Sequence, residues 1–85
     1  MDPYTILLHP YVTEKTMNHM EQNNALEFVV RRTANKKQIK HAIEQMFDVK
    51  VKNVTTKITK KGKHALVVFM PDVNAEDIGM RIGIF

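Results

Sequence analysis

Eleven lysines and arginines fall between Arg31 and Lys63, opposed there only by Glu44 and Asp48, so this stretch carries a net charge of +9. The remainder sets Lys15 and Arg81 against seven acids, a net of −5. A surface with no charged partner intersperses the two signs. Segregated in this way, the basic block makes a field that attracts phosphates and releases their counterions, and the competing interpretation is a plain solvated lysine-rich face. Covalent chemistry has little to work with. The chain contains neither cysteine nor serine, which removes disulfides, thiolate ligands and the commonest hydroxyl nucleophile. No two of His9, His19, His41 and His64 stand three or four residues apart, the spacing that sets two imidazoles on one metal. Asp72, Glu76 and Asp77 cluster where a last helix begins, and acids suit that position for dipole reasons alone. Gly62, Gly79 and Gly83 match no phosphate-cradling loop.

The elements that must position the lysines are short. With 85 residues, 44% of them apolar and 26% charged, the chain is one domain (residues 1–85) with one core. No apolar run approaches the roughly 20 residues that cross a bilayer, and MDPYTILLHP lacks the basic n-region of a signal peptide, so a cytoplasmic location without membrane insertion is expected. Thr5 to Leu8 reads as an edge strand. A helix follows from Thr13 to Gln22, with Thr13 as N-cap, Glu14 in the first turn and Met17 and Met20 facing the core. Ala25 to Arg32 alternates with period two, which predicts a half-buried strand with Leu26, Phe28 and Val30 inward and Glu27, Val29 and Arg31 outward.

The strongest local signal is the next helix. Asn35 and Gln38 form a capping-box pair, and Ile39, Ala42, Ile43, Met46 and Phe47 repeat at the spacing of one helical face. Lys36, Lys37 and Lys40 crowd its N-terminal end, where positive charge opposes the helix dipole; a partner is a reason to accept that penalty. Val49 and Val51 have one parity and Val54, Thr56 and Ile58 the other, which predicts a strand bulged near Lys52-Asn53. A tight turn at Lys61-Gly62 leads to a strand apolar on both faces, Lys63 to Met70, expected mid-sheet with both sides covered. Asn74 and Asp77 start a short helix whose Ile78, Ile82 and Phe85 close the core. The fold class is α+β, split βαβ-like, with a mostly antiparallel three- to four-stranded sheet packed with helices.

Lys61-Gly62 before a strand is like the start of the motif that RNA-recognition domains use, but Lys63, His64 and Ala65 stand where the stacking rings belong. RNA binding by this chain is therefore expected through phosphates, riboses and shape. A more extensive resemblance covers nearly the whole chain. His9-Pro10-Tyr11-Val12-Thr13-Glu14-Lys15, Leu26-Glu27-Phe28-Val29-Val30, Ala34-Asn35-Lys36-Lys37-Gln38-Ile39-Lys40-His41-Ala42-Ile43-Glu44, Phe47-Asp48-Val49-Lys50-Val51 and Val54-Thr55-Thr56 follow in order and near-family spacing. Together they resemble the universal large-subunit ribosomal protein of the nascent-chain exit port, number twenty-three of its series. The short Lys60-Lys61-Gly62-Lys63 hairpin, in place of the long tunnel-reaching loop of bacterial members, resembles the archaeal type.

The resemblance implies a structural ribosomal protein, not an enzyme, that needs no cofactor, metal or small-molecule substrate. Its implied partners are large-subunit rRNA near the exit tunnel, neighbouring large-subunit ribosomal proteins, and signal recognition particle, chaperones or translocon at the exit port. By matching position, Lys15, Lys36, Lys37 and Lys40 are implied rRNA contacts, and Glu14, Phe47 and Asp48 an implied docking patch. Phe47 also completes the core stripe of its helix. The charge pattern adds His9, Lys57, Lys60, Lys61 and Lys63 to the RNA-binding set. A free-standing RNA-recognition-like module is the main alternative, and a comparison of single-stranded with structured RNA separates the two.

Overall fold

The computed structural model describes residues 6–83. Thr5 and Phe85, expected in the first strand and the last core contact, lie outside them. The order is β1 (Leu7–Pro10), α1 (Glu14–Asn23), β2 (Ala25–Val30), α2 (Lys36–Phe47), β3 (Val51–Thr59), β4 (Gly62–Phe69) and α3 (Ala75–Arg81). The strands form one sheet in the order β1-β2-β4-β3, and every neighbouring pair is antiparallel. Because β4 separates β2 from β3, those two strands run parallel with α2 as their crossover: a split βαβ unit with β1 added at the edge.

Both long helices begin as the sequence dictates. The Thr13 hydroxyl accepts from Thr16 N–H at 3.2 Å and the Thr16 hydroxyl from Thr13 N–H at 2.7 Å, so the Thr-Glu-Lys segment is the start signal of α1. Asn35 and Gln38 close the same reciprocal box on α2, at 2.8 and 3.0 Å. Each box satisfies two backbone donors that a helix start otherwise leaves open. The two helices end on left-handed residues, Asn24 (φ 54°) and Asp48 (φ 55°), types that tolerate this conformation.

One face of the sheet is dry. Register places Leu26, Val67 and Val54 in one cross-strand row and Phe28, Ala65 and Thr56 in the next. Ile39, Ala42, Ile43 and Phe47 of α2 belong to the same core cluster, as do Ala75 and Ile78 of α3 and Met20 of α1. Each fully buried Ile or Val contributes about 1.5–3 kcal/mol, which is what fixes α2 on the sheet.

Three sequence expectations change. The first strand runs two residues later than Thr5 to Leu8. The second strand is buried on both faces, Glu27 and Val29 included, not half-buried. In β4 the reverse holds: Ala65, Val67 and Phe69 are buried, Leu66 and Val68 only half-buried, and Met70 is exposed. The two central strands thus exchange the roles their hydropathy predicts, because α1 and Tyr11 pack against β2 while Leu66 and Val68 of β4 stay partly open. The expected bulge is present, with register shifting between Val51 and Asn53.

Candidate nucleic-acid interface

The lysines at the start of α2 gain their setting from β3. Lys36, Lys37 and Lys40 are exposed and line a shallow groove with Lys52, Asn53 and Val54. The bulge between Val51 and Asn53 brings Lys52 to this rim, so four ammonium groups border one concavity. Lys52 is absent from the sequence-based site; its membership in the basic block was visible, but its direction depends on the bulge. No acid stands in the first turn of α2, so nothing there neutralises the three lysines or the helix dipole.

A second group surrounds the β3–β4 hairpin. Lys57, Lys60 and Lys61 are exposed. Lys61 N–H donates to the Thr59 hydroxyl at 3.2 Å, and its Nζ lies 5.4 Å from the Tyr11 ring centroid, within cation–π range. Lys63 differs from its neighbours. Its side chain is half-buried and Nζ donates to Ala34 O at 2.6 Å, tying β4 to the segment before α2. His9 is exposed on β1, with Nδ1 3.1 Å from Pro10 O.

Beneath Tyr11 the sheet carries a buried polar chain. His64 Nδ1 lies 2.9 Å from Glu27 Oε2, His64 Nε2 lies 3.0 Å from Thr59 Oγ1, and the Tyr11 ring meets the imidazole edge-on at 4.7 Å. Glu27 is 7% and His64 2% exposed. Among the described residues every buried side-chain polar atom has a partner. In the neutral ring, Nδ1–H donates to the carboxylate and Nε2 accepts the Thr59 hydroxyl. Period-two reading placed Glu27 outward, and only the strand register, which brings it diagonal to His64, reveals the pair. Beside it, Lys15 and His19 of α1 line a groove with Glu27, Thr55, Thr56, Lys57, His64 and Leu66.

The acidic residues lie elsewhere. Glu44, Asp48, Asp72 and Asp77 line a broad groove with Lys50 and Arg81, between the end of α2 and the start of α3. Asp48 is exposed there as the left-handed cap of α2, and Glu14 is exposed in the first turn of α1. Phe47 is 7% exposed and belongs to the core; the Arg81 guanidinium sits 5.5 Å from its ring centroid and donates to Phe47 O at 3.4 Å. α2 therefore carries lysines at one end and borders an acidic groove at the other. No helix among the described residues is long and apolar enough to cross a membrane.

Comparison with known proteins gives one answer. Residues 5–75 match the family model described as ribosomal protein L23. The proteins called large ribosomal subunit protein uL23 in Methanobrevibacter smithii, Methanothermobacter thermautotrophicus and Methanosphaera stadtmanae are 48%, 45% and 43% identical to it, with each alignment covering the whole of both chains.

Proposed function

Since this chain belongs to the ribosomal protein L23 family, a family of large-subunit structural proteins and not of enzymes, we propose that it fastens to large-subunit rRNA near the exit tunnel through phosphate contacts. The lysines of the α2–β3 groove and of the hairpin make those contacts, with Lys15 and His9 beside them. The observation that carries this reading is the gathering of Lys36, Lys37, Lys40 and Lys52 around one concavity on a helix start that no acid neutralises. Phosphate contacts set orientation without reading sequence, and lysines as mobile point charges suit an irregular RNA backbone. Lys63 contributes from the same hairpin while holding Ala34 O. Factors that meet the nascent chain dock through the set Glu14, Phe47 and Asp48, with Asp48 exposed in the acidic groove, Glu14 exposed apart from it at the start of α1 and Phe47 in the core next to Asp48, and neighbouring ribosomal proteins complete the setting.

Equilibrium binding across a salt series tests this reading, with a large-subunit rRNA transcript and an unrelated structured RNA. Tight binding to the ribosomal transcript alone is expected, and Lys36→Gln/Lys37→Gln/Lys40→Gln should flatten its log–log salt slope by about 2–3. Equal affinity for both RNAs would overturn it. For the docking surface, Glu14→Lys/Asp48→Lys in reconstituted ribosomes should weaken binding of signal recognition particle; unchanged binding would remove that part.

A further inference from the structure

The groove beside the buried polar chain has a composition that phosphate anchoring alone does not require. Register sets Glu27, Leu66 and Thr55 side by side across β2, β4 and β3, with Val29, His64 and Lys57 as the next row on the same face. Lys15 and His19, four residues apart on one face of α1, supply further lining. The groove has a volume of about 250 Å³. His19 is held in place by Asn23, whose Nδ2 lies 2.9 Å from its Nδ1. Glu27 is immobilised through its contact with His64, and a carboxylate engaged by one donor retains acceptor capacity.

Each part of this lining has a counterpart in one ligand class. Two ammonium groups, from Lys15 and Lys57, select an anion. A fixed carboxylate next to them repels a bare anion but accepts from a ring N–H or an exocyclic amino group. A positioned imidazole and the half-buried Leu66 offer planar and apolar surface. An anionic group, a flat ring and an N–H edge are the three parts of a nucleotide. RNA-binding proteins read sequence mostly from unpaired bases in this manner, stacked on a ring and hydrogen-bonded along an edge. We infer that this groove receives a single unpaired ribonucleotide of the bound RNA, its base between His19 and Leu66 with an N–H edge toward Glu27, and its phosphate at Lys15 and Lys57. β4 lacks the stacking rings of RNA-recognition domains; here a helix supplies the ring instead. This inference rests on the rRNA-binding reading and adds to it a point of base recognition.

Titration of the full-length ¹⁵N-labelled chain with AMP, CMP, GMP and UMP, with ribose 5-phosphate and inorganic phosphate as baseless probes, tests the groove. Amide shifts at Lys15, His19, Glu27, Thr55, Lys57 and Leu66 are expected, with at least one nucleotide binding about tenfold tighter than ribose 5-phosphate. Thr55→Phe fills the groove from an exposed strand position that accepts aromatic residues, so it should abolish those shifts while leaving the melting curve in place. On the rRNA transcript, Thr55→Phe should weaken binding about tenfold and flatten the salt slope by about 0.7–0.9, because a single phosphate leaves Lys15 and Lys57. Equal affinity for ribose 5-phosphate and all nucleotides, or no shifts in the groove, would overturn the inference. A Thr55→Phe protein that binds the transcript normally would also overturn it and leave the rRNA reading standing. That reading fails separately, if the transcript is not preferred over unrelated RNA.

Discussion

The two faces of the sheet share four strands and little else. On the α2 side, rows of Leu, Val, Phe and Ala meet a helix stripe that is entirely apolar. On the other side, Glu27, His64 and Thr59 form a buried chain under Tyr11, and a groove remains open beside them. The dry face is non-directional: any well-packed set of similar volume holds α2 in place. The polar face is directional, since each group there depends on a named partner at a fixed distance. Such arrangements contribute less to stability than apolar packing and more to the shape and chemistry of the surface they border.

The sharpest way to break this contrast is to truncate matched residues on the two faces. Ile43 is fully buried on the α2 side, and Ile43→Ala should destabilise the fold by about 2–5 kcal/mol in urea titration. Leu66 is half-buried on the other side, and Leu66→Ala should lose about 1 kcal/mol. Equal losses would mean that both faces hold the fold alike. Next in size is the polar chain. Glu27→Ala leaves the buried imidazole without its carboxylate and should destabilise by about 1–3 kcal/mol, with Glu27→Gln restoring part of that through its amide oxygen. If Glu27→Ala unfolds at the wild-type urea midpoint, the pair has no structural role.

How far the sequence reveals all this follows from distance along the chain. Most of what is decided within eight residues was legible: the N-cap at Thr13, the capping box at Asn35, the α2 stripe, the bulge near Lys52-Asn53 and the tight turn, read at Lys61-Gly62 and found one residue earlier. Glu27 and His64 are 37 residues apart, and nothing local to either says that one will cover the other. β2 is buried on both faces against its alternating pattern because α1 packs against it and Tyr11 lies beside Glu27, contacts equally invisible to a local pattern. The basic block was legible as charge, while its division into a groove at α2, a hairpin tip and a wall beside His19 was not. Lys52 and Lys63 show the limit well. Two lysines of one basic block look alike in the sequence, yet one joins the α2 rim and the other holds Ala34 O.

A smaller effect tests the seam between the two sides. Asn24 ends α1 in a left-handed conformation, and its side chain donates to Met70 O and Val73 O and accepts from Ala75 N–H at 3.2, 2.7 and 2.8 Å. Asn24→Ala loses both the side-chain bonds and the tolerance of positive φ, whereas Asn24→Gly loses only the bonds. Asn24→Ala should cost about 1–2 kcal/mol and Asn24→Gly clearly less. Equal losses would assign the whole effect to the side-chain bonds.

The smallest expected change separates stability from binding on a single helix. Lys36 and Lys37 occupy the first turn of α2, which contains no acid, so their charges oppose the helix dipole in the free protein. Lys37→Glu reverses one of them at an exposed position and should stabilise the fold by about 0.3–1 kcal/mol at low ionic strength, read as a higher melting temperature. The gain should fade as salt screens the interaction. The same substitution removes one phosphate contact, so it should flatten the salt slope on the rRNA transcript by about 0.7–0.9 and lower affinity. Opposite signs in the two measurements would identify Lys37 as a residue kept for its partner against the preference of its own helix. A melting temperature that falls together with affinity would show that the lysine supports the fold and binds RNA only through it.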